Sequence, residues 1–205
     1  MKILITGGAG LIGKTYKMLL KKAGYMRYLF VALLFTLNAC MSIPDGIEPI
    51  QSFEINRYLG KWYEIARLDH SFERGLQHVS ADYSLRQDGG IKVINRGLDV
   101  NTNKWKETEG KAYFVEDSQT AHLKVSFFGP FYGSYIIFDL GKNYEYSLVT
   151  SSNRSYFWLL SRTSVIDDAL KNDIINTITD LGFDTQSLIF VTQENNSAED
   201  SKNGD

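Results

Sequence analysis

The sequence predicts an all-β domain, an eight-stranded antiparallel up-and-down barrel with one C-terminal helix, over the larger part of a 205-residue chain. Three observations predict it. Short runs rich in aromatic and β-branched residues recur eight times, at 60–68, 79–86, 91–98, 105–115, 121–128, 133–140, 144–151 and 156–163. The connections alternate between tight polar turns (87–90, 116–120, 141–143) and longer loops (69–78, 99–104, 129–132, 152–155). Aromatic residues make up 13 % of the chain, with 12 Tyr, 12 Phe and 3 Trp, which suits strands and an apolar cavity wall.

The strands earn their assignment by alternation. Val79, Ala81, Tyr83 and Leu85 share one face, while Ser80, Asp82, Ser84 and Arg86 share the other. Leu123, Val125 and Phe127 alternate in the same way with His122, Lys124 and Ser126. Alternating loop lengths gather the short turns at one end and the long loops at the other, a closed base and an open mouth. Eight strands that close on themselves leave no sheet edge and an interior for one small ligand. After the last strand, Leu170, Ile174, Ile178 and Leu181 form a helical stripe over 167–181, which Gly182 ends. Residues 187–192 read as a final short strand, and the polar stretch 193–205 as a disordered tail.

The bulk composition narrows the function. With 43 % hydrophobic and 22 % charged residues, the chain is of ordinary globular type. A net charge of −2 supplies no basic field, so nucleic acid is excluded as a partner. The single cysteine, Cys40, excludes an intrachain disulfide.

Three segments precede the barrel. Residues 1–25 combine a short strand, the glycines Gly7, Gly10 and Gly13, and a helix from Thr15 to Ala23. They resemble the opening of the nucleotide-sugar epimerase branch of the short-chain dehydrogenases. Such a fingerprint needs a second strand bearing an acid about 20 residues on. Residues 28–35 fill that place with no acid, so the fragment reads as a non-functional orphan that binds no NAD. Residues 26–39 read as a leader: Arg27, with Lys21 and Lys22, precedes the apolar run 28–37. That run falls short of the about 20 residues a membrane span needs. Translation from Met1, Met18 or Met26 is left open. Leu37-Asn38-Ala39-Cys40 resembles the lipobox of bacterial lipoproteins, which implies cleavage before Cys40 and its acylation. Met41 in the next position implies, by the same resemblance, sorting to the outer membrane with the protein facing the periplasm. Residues 40–55, with Pro44, Gly46 and Pro49, are expected to be an extended lipidated tether to the domain at 56–192.

Three short motifs then carry a family resemblance. Gly60-Lys61-Trp62 follows a turn at 56–59, Asp139 and Tyr144 flank the hairpin 141–143, and Leu160-Ser161-Arg162-Thr163 closes the last long strand. Together they resemble the three motifs of the lipocalin family, most closely its bacterial outer-membrane branch, although only half of the second motif is present. The resemblance covers nearly all of 47–192 and implies a lipid-binding barrel of the calycin superfamily. Its implied cargo is a fatty acid or lysophospholipid, stored or transported for envelope maintenance. Gly60, Trp62 and Arg162 are then structural residues of the barrel base, with the Arg162 guanidinium over the Trp62 indole.

Alternation and continuity with this base select Val79, Ala81, Tyr83, Tyr135, Ile137, Tyr156 and Trp158 as cavity walls. Phe127 and Phe131 belong to an aromatic turn, 127–133, expected at the mouth, where its rings serve ligand entry, pack on the helix or pair two subunits in a homodimer. Arg74, Lys104 and Arg154 sit in long loops as candidate partners for an anionic head group. No catalytic set emerges: His70, His78 and His122 lack metal-ligand spacing, and Asp69-His70 has no nucleophile tied to it. No cofactor or metal is expected. A structural envelope lipoprotein with a filled barrel, and an NAD-binding oxidoreductase fragment, remain as alternative readings.

Overall fold

The computed structural model describes residues 41–193; the fragment 1–25, the leader, Cys40 and residues 194–205 lie outside the described residues. A one-turn helix α1 (Ile55–Tyr58) leads into eight antiparallel strands. These are β1 (Gly60–Arg67), β2 (Leu76–Leu85), β3 (Ile91–Asp99), β4 (Lys104–Phe114), β5 (His122–Ser126), β6 (Gly133–Leu140), β7 (Tyr146–Thr150) and β8 (Phe157–Ser161). Each pairs with the next, and β1 pairs with both β8 and β2, so the ring closes. Helix α2 (Asp168–Asp180) follows, then a 3-10 turn (Thr185–Ser187) and β9 (Ile189–Phe190), which pairs with β1 at Ala66 and Arg67. The eight expected strands and the helix are all present.

Their ends are trimmed for local reasons. β5 stops at Ser126 because Phe127 leaves the ladder and turns its ring onto Gly110, where a Cβ would lie 2.6 Å from that ring. β7 starts at Tyr146, since Tyr144 adopts a positive φ of 62°. In α2, the Asp167 carboxylate caps the first turn by accepting from the Ala169 and Leu170 amides. Gly182, at φ +81°, ends it in a Schellman arrangement, with the Phe183 amide donating to the Ile178 carbonyl at 3.0 Å.

Alternation sorts the apolar residues into two cores. One lies inside the barrel around Trp62, Tyr83, Ile91, Leu123 and Ile137. The other lies between the barrel wall and α2, where Ile174 and Ile178 meet Ile65, Ala66, Leu148 and Phe157. A β-bulge between Glu64 and Ala66 in β1 links the two. It lets Ile65 and Ala66 both join the outer core, and so turns both Glu64 and Arg67 inward.

Two expected boundaries are corrected. Residues 40–55 are expected as an extended lipidated tether, but much of 41–55 is seated on the barrel. Ser42 Oγ donates to the Ser152 carbonyl at 3.5 Å, and Arg154 donates to the Asp45 carbonyl. Ile47 then enters the outer core, and Ile50 exchanges backbone hydrogen bonds with Ile137 and Ala121. Phe53 is buried, and its amide donates to the Gln119 carbonyl at 2.8 Å. The apolar residues at 47, 50 and 53 pull a Pro- and Gly-bearing segment onto the wall and across the base. Gln193, assigned to the tail, is likewise seated: its amide donates to the Glu64 and Val79 carbonyls at 2.7 and 2.9 Å. It bridges β1 and β2 where their own pairing, which spans Gly60–Tyr63 of β1, has ended.

Candidate ligand cavity

The base is built where β1 begins and β8 ends. Gly60 takes a φ of +87°, a turn into β1 that a side chain would strain. Trp62, wholly buried, donates its indole N–H to the Tyr58 carbonyl at 2.8 Å. The Arg162 guanidinium carbon stands 3.9 Å above the indole. Its two terminal nitrogens donate to the Lys61 and Arg57 carbonyls at 2.9 and 2.6 Å. A planar fork both stacks and bridges, which an ammonium cannot do. Above this plug, the Tyr135 hydroxyl lies 2.8 Å from those of both Tyr58 and Tyr83, and Tyr58 also reaches Ser147 Oγ at 3.2 Å. Burial pushes Tyr58 up to about 12 and raises Tyr83 and Tyr135 as well, so the floor is neutral.

The candidate wall residues fall into three groups. Ala81, Tyr83 and Ile137 are buried in the inner core, and Val79 is buried on the same alternation. Tyr135, Trp158 and Phe127 pack against that core and remain only partly buried. Tyr156 is at the mouth, stacked at 6.0 Å on Trp158 and at 6.3 Å on Phe72. Phe131 is not brought into the interior: it is 79 % exposed on the β5–β6 loop.

A polar cluster under the β1–β2 loop was not among the sequence candidates. Arg67, 2 % exposed, donates to Glu64 at 2.6 Å, and to the Glu73 and Leu76 carbonyls at 2.9 and 3.2 Å. The Glu73 carboxylate accepts the Trp158 indole N–H at 3.1 Å and lies 3.0 Å from His70 Nε2, off the axis of a good hydrogen bond. Burial and the nearby Glu73 raise the Glu64 carboxyl, whereas the adjacent His70 and the hydrogen bond from Trp158 hold Glu73 low against its own burial. Arg67 thus pins the β1–β2 loop from inside the barrel. Simple alternation gives no reason to point both Glu64 and Arg67 inward; only the bulge does.

The candidate head-group cations are mostly engaged elsewhere. Arg74 pairs with Asp69 at 2.5 Å. Arg154 donates to the Leu181 carbonyl at 2.6 Å and to that of Asp45, so it is a clamp on the chain rather than a receptor. Lys104 is exposed at the start of β4. Asp69 and His70 have different partners, Arg74 and Glu73, and His122 Nε2 lies 2.7 Å from Ser134 Oγ. Among the described residues, no group of three or more His, Cys, Asp or Glu is placed to hold a metal ion.

A plug closes one end of the eight-stranded barrel, partly buried aromatics lie above it, and long loops cover the other end. The chain belongs to the lipocalin family: residues 53–193 match the model of the lipocalin-like domain. It is 52 % identical to the outer membrane lipoprotein Blc of Vibrio cholerae over 171 residues, 82 % of this chain and all of the relative. Against the protein of the same name in Escherichia coli K12, identity is 48 % over 161 residues, 78 % of this chain and 91 % of the relative. Among solved structures, insecticyanin of the tobacco hornworm Manduca sexta shares the fold. Its TM-score is 0.61 at 16 % identity, covering 75 % of this chain and 88 % of that one.

Proposed function

We propose that this chain is a lipid-anchored lipocalin of the bacterial outer membrane that holds a fatty acid or lysophospholipid for envelope maintenance and performs no catalysis. The anchor is an acyl group on Cys40, supported by the lipobox-like run before it and by the relatives named as outer membrane lipoproteins. The observation that carries the cargo is the partly accessible inward face of Tyr135, Phe127 and Trp158 above a fully bonded floor. An acyl chain of about 16 carbons gains roughly 10 kcal/mol gross on leaving water, of which ordering and association remove several.

One observation favours a filled scaffold instead: the lower barrel is packed by Phe53, Tyr58, Trp62 and Tyr83. Native mass spectrometry of the lipid-stripped protein offered mixed lysophospholipids separates the two. A 1:1 adduct is expected, and no adduct at all favours the scaffold. Palmitate labelling, lost in Cys40→Ser, tests the anchor.

A further inference from the structure

Large apolar side chains exposed among the described residues are distributed unevenly between the two ends of the barrel. The open-end connections and the chain beside them carry Phe72, Val100, Trp105, Phe128, Phe131 and Ile43, with Phe128 and Phe131 74 % and 79 % exposed. The base connections 86–90, 115–121 and 141–145 expose mainly polar residues such as Asp88, Glu116, Asp117, Lys142 and Glu145, and the large apolar side chains exposed toward that end are Leu85, beside the first of them, and Val165, after β8. An aromatic rim of this kind suits the boundary between water and hydrocarbon, where rings are favoured.

The course of the N-terminal segment gives this rim an occupant. Ser42 and Asp45 are bound to Ser152 and Arg154, both in the β7–β8 loop at the open end. From there the chain descends through Ile47 in the outer core to Ile50 and Phe53 at the base. It therefore joins the barrel at its mouth. Cys40 precedes Ser42 by two residues, a reach of at most about 7 Å. An acyl anchor there tethers the open end of the barrel and leaves the base directed away from the membrane.

We propose that the open rim is a membrane-docking face: the loops bearing Phe72, Phe128 and Phe131 seat in the lipid surface that holds the acylated Cys40, so that the cavity opens onto the bilayer. This rests on the Cys40 anchor proposed above. It makes cargo transfer a passage between adjoining apolar phases, with no crossing of water.

Site-directed spin labelling tests it. Acylation consumes Cys40, the only cysteine, so a single introduced cysteine is labelled uniquely. Full-length Phe131→Cys, Phe128→Cys and Asp117→Cys are purified in acylated form and reconstituted into phosphatidylethanolamine–phosphatidylglycerol vesicles. Flotation reports the anchor, and power saturation against oxygen and a polar nickel chelate reports depth. The expected result is flotation of all three, with labels at 128 and 131 more accessible to oxygen and the label at 117 more accessible to nickel. Flotation with all three labels aqueous overturns the docking and leaves the anchor standing. Failure to float overturns the anchor, and the docking with it. Spin–spin broadening at 131 that disappears on dilution with unlabelled protein, without immersion, assigns the rim to a second copy and also overturns the proposal.

Discussion

Replacing Arg162 by alanine separates the architecture of the base from the chemistry of the cavity. The substitution removes a guanidinium 3.9 Å above Trp62, two short hydrogen bonds, of 2.9 and 2.6 Å, to the Lys61 and Arg57 carbonyls, and a long, weak contact of 3.4 Å from Nε to the Tyr144 carbonyl. The stacking contributes about 1 kcal/mol. Each hydrogen bond contributes about 1 kcal/mol at a site water can partly reach. The sum, about 3 kcal/mol, corresponds to a fall in melting temperature of roughly 6–12 °C for a domain of this size. Arg162→Lys keeps the charge and loses the fork, and is expected to recover less than half of the loss. Thermal unfolding followed by circular dichroism gives the first quantity, and displacement of a fluorescent fatty acid below the melting range gives the second. Binding should change little, because Trp62 and the tyrosine floor lie between Arg162 and the accessible wall. Unchanged melting with abolished binding would refute the assignment of Arg162 to structure.

Three more outcomes follow from the same geometry. Glu64 binds its proton more tightly folded than unfolded, so its contribution to stability is fully present below about pH 4.3 and is lost as pH rises through its folded value. Glu64→Gln removes that slope, and the stability advantage of wild type over the variant should shrink between acid and mildly alkaline pH; parallel curves in urea unfolding would contradict it. Tyr58, pushed up to about 12, and the similarly raised Tyr83 and Tyr135 stabilise the fold below about pH 10, and that contribution is lost as pH climbs through their folded values. A near-ultraviolet titration should therefore show a late tyrosinate step coincident with loss of β-structure, and complete ionisation near about pH 10 would exclude it. Gly110→Ala places a Cβ 2.6 Å from the Phe127 ring, so about 1–3 kcal/mol of destabilisation is expected, largely restored by adding Phe127→Leu; no restoration in the double variant would place the strain elsewhere.

Local signals were enough to show the barrel in the sequence. Alternation along 79–86 and 122–127, the loop lengths and the Gly60–Trp62 motif are properties of consecutive residues, and they located all eight strands. The cavity was half legible. Ala81, Tyr83, Tyr135 and Trp158 follow strand periodicity, whereas Phe131 sits in a turn whose direction no periodicity sets. Glu64 and Arg67 were hidden because a one-residue bulge changes which side chains share a face. The seating of Ile47, Ile50 and Phe53 was hidden because Pro44, Gly46 and Pro49 give that segment the composition of a linker. Its apolar residues acquire meaning only once a groove exists to take them.

The central claim, that an acyl chain enters the barrel above the tyrosine floor, has a direct optical test. Trp158 packs, partly buried, against the inner core, Trp62 is wholly buried in the base and Trp105 is on the outer rim. A lysophospholipid brominated along its chain quenches only an indole it touches. Titration below the lipid's micelle concentration should give saturable 1:1 quenching that is lost in Trp158→Phe and retained in Trp105→Phe. Absence of saturable quenching, or quenching that survives in Trp158→Phe and vanishes in Trp105→Phe, would contradict the claim.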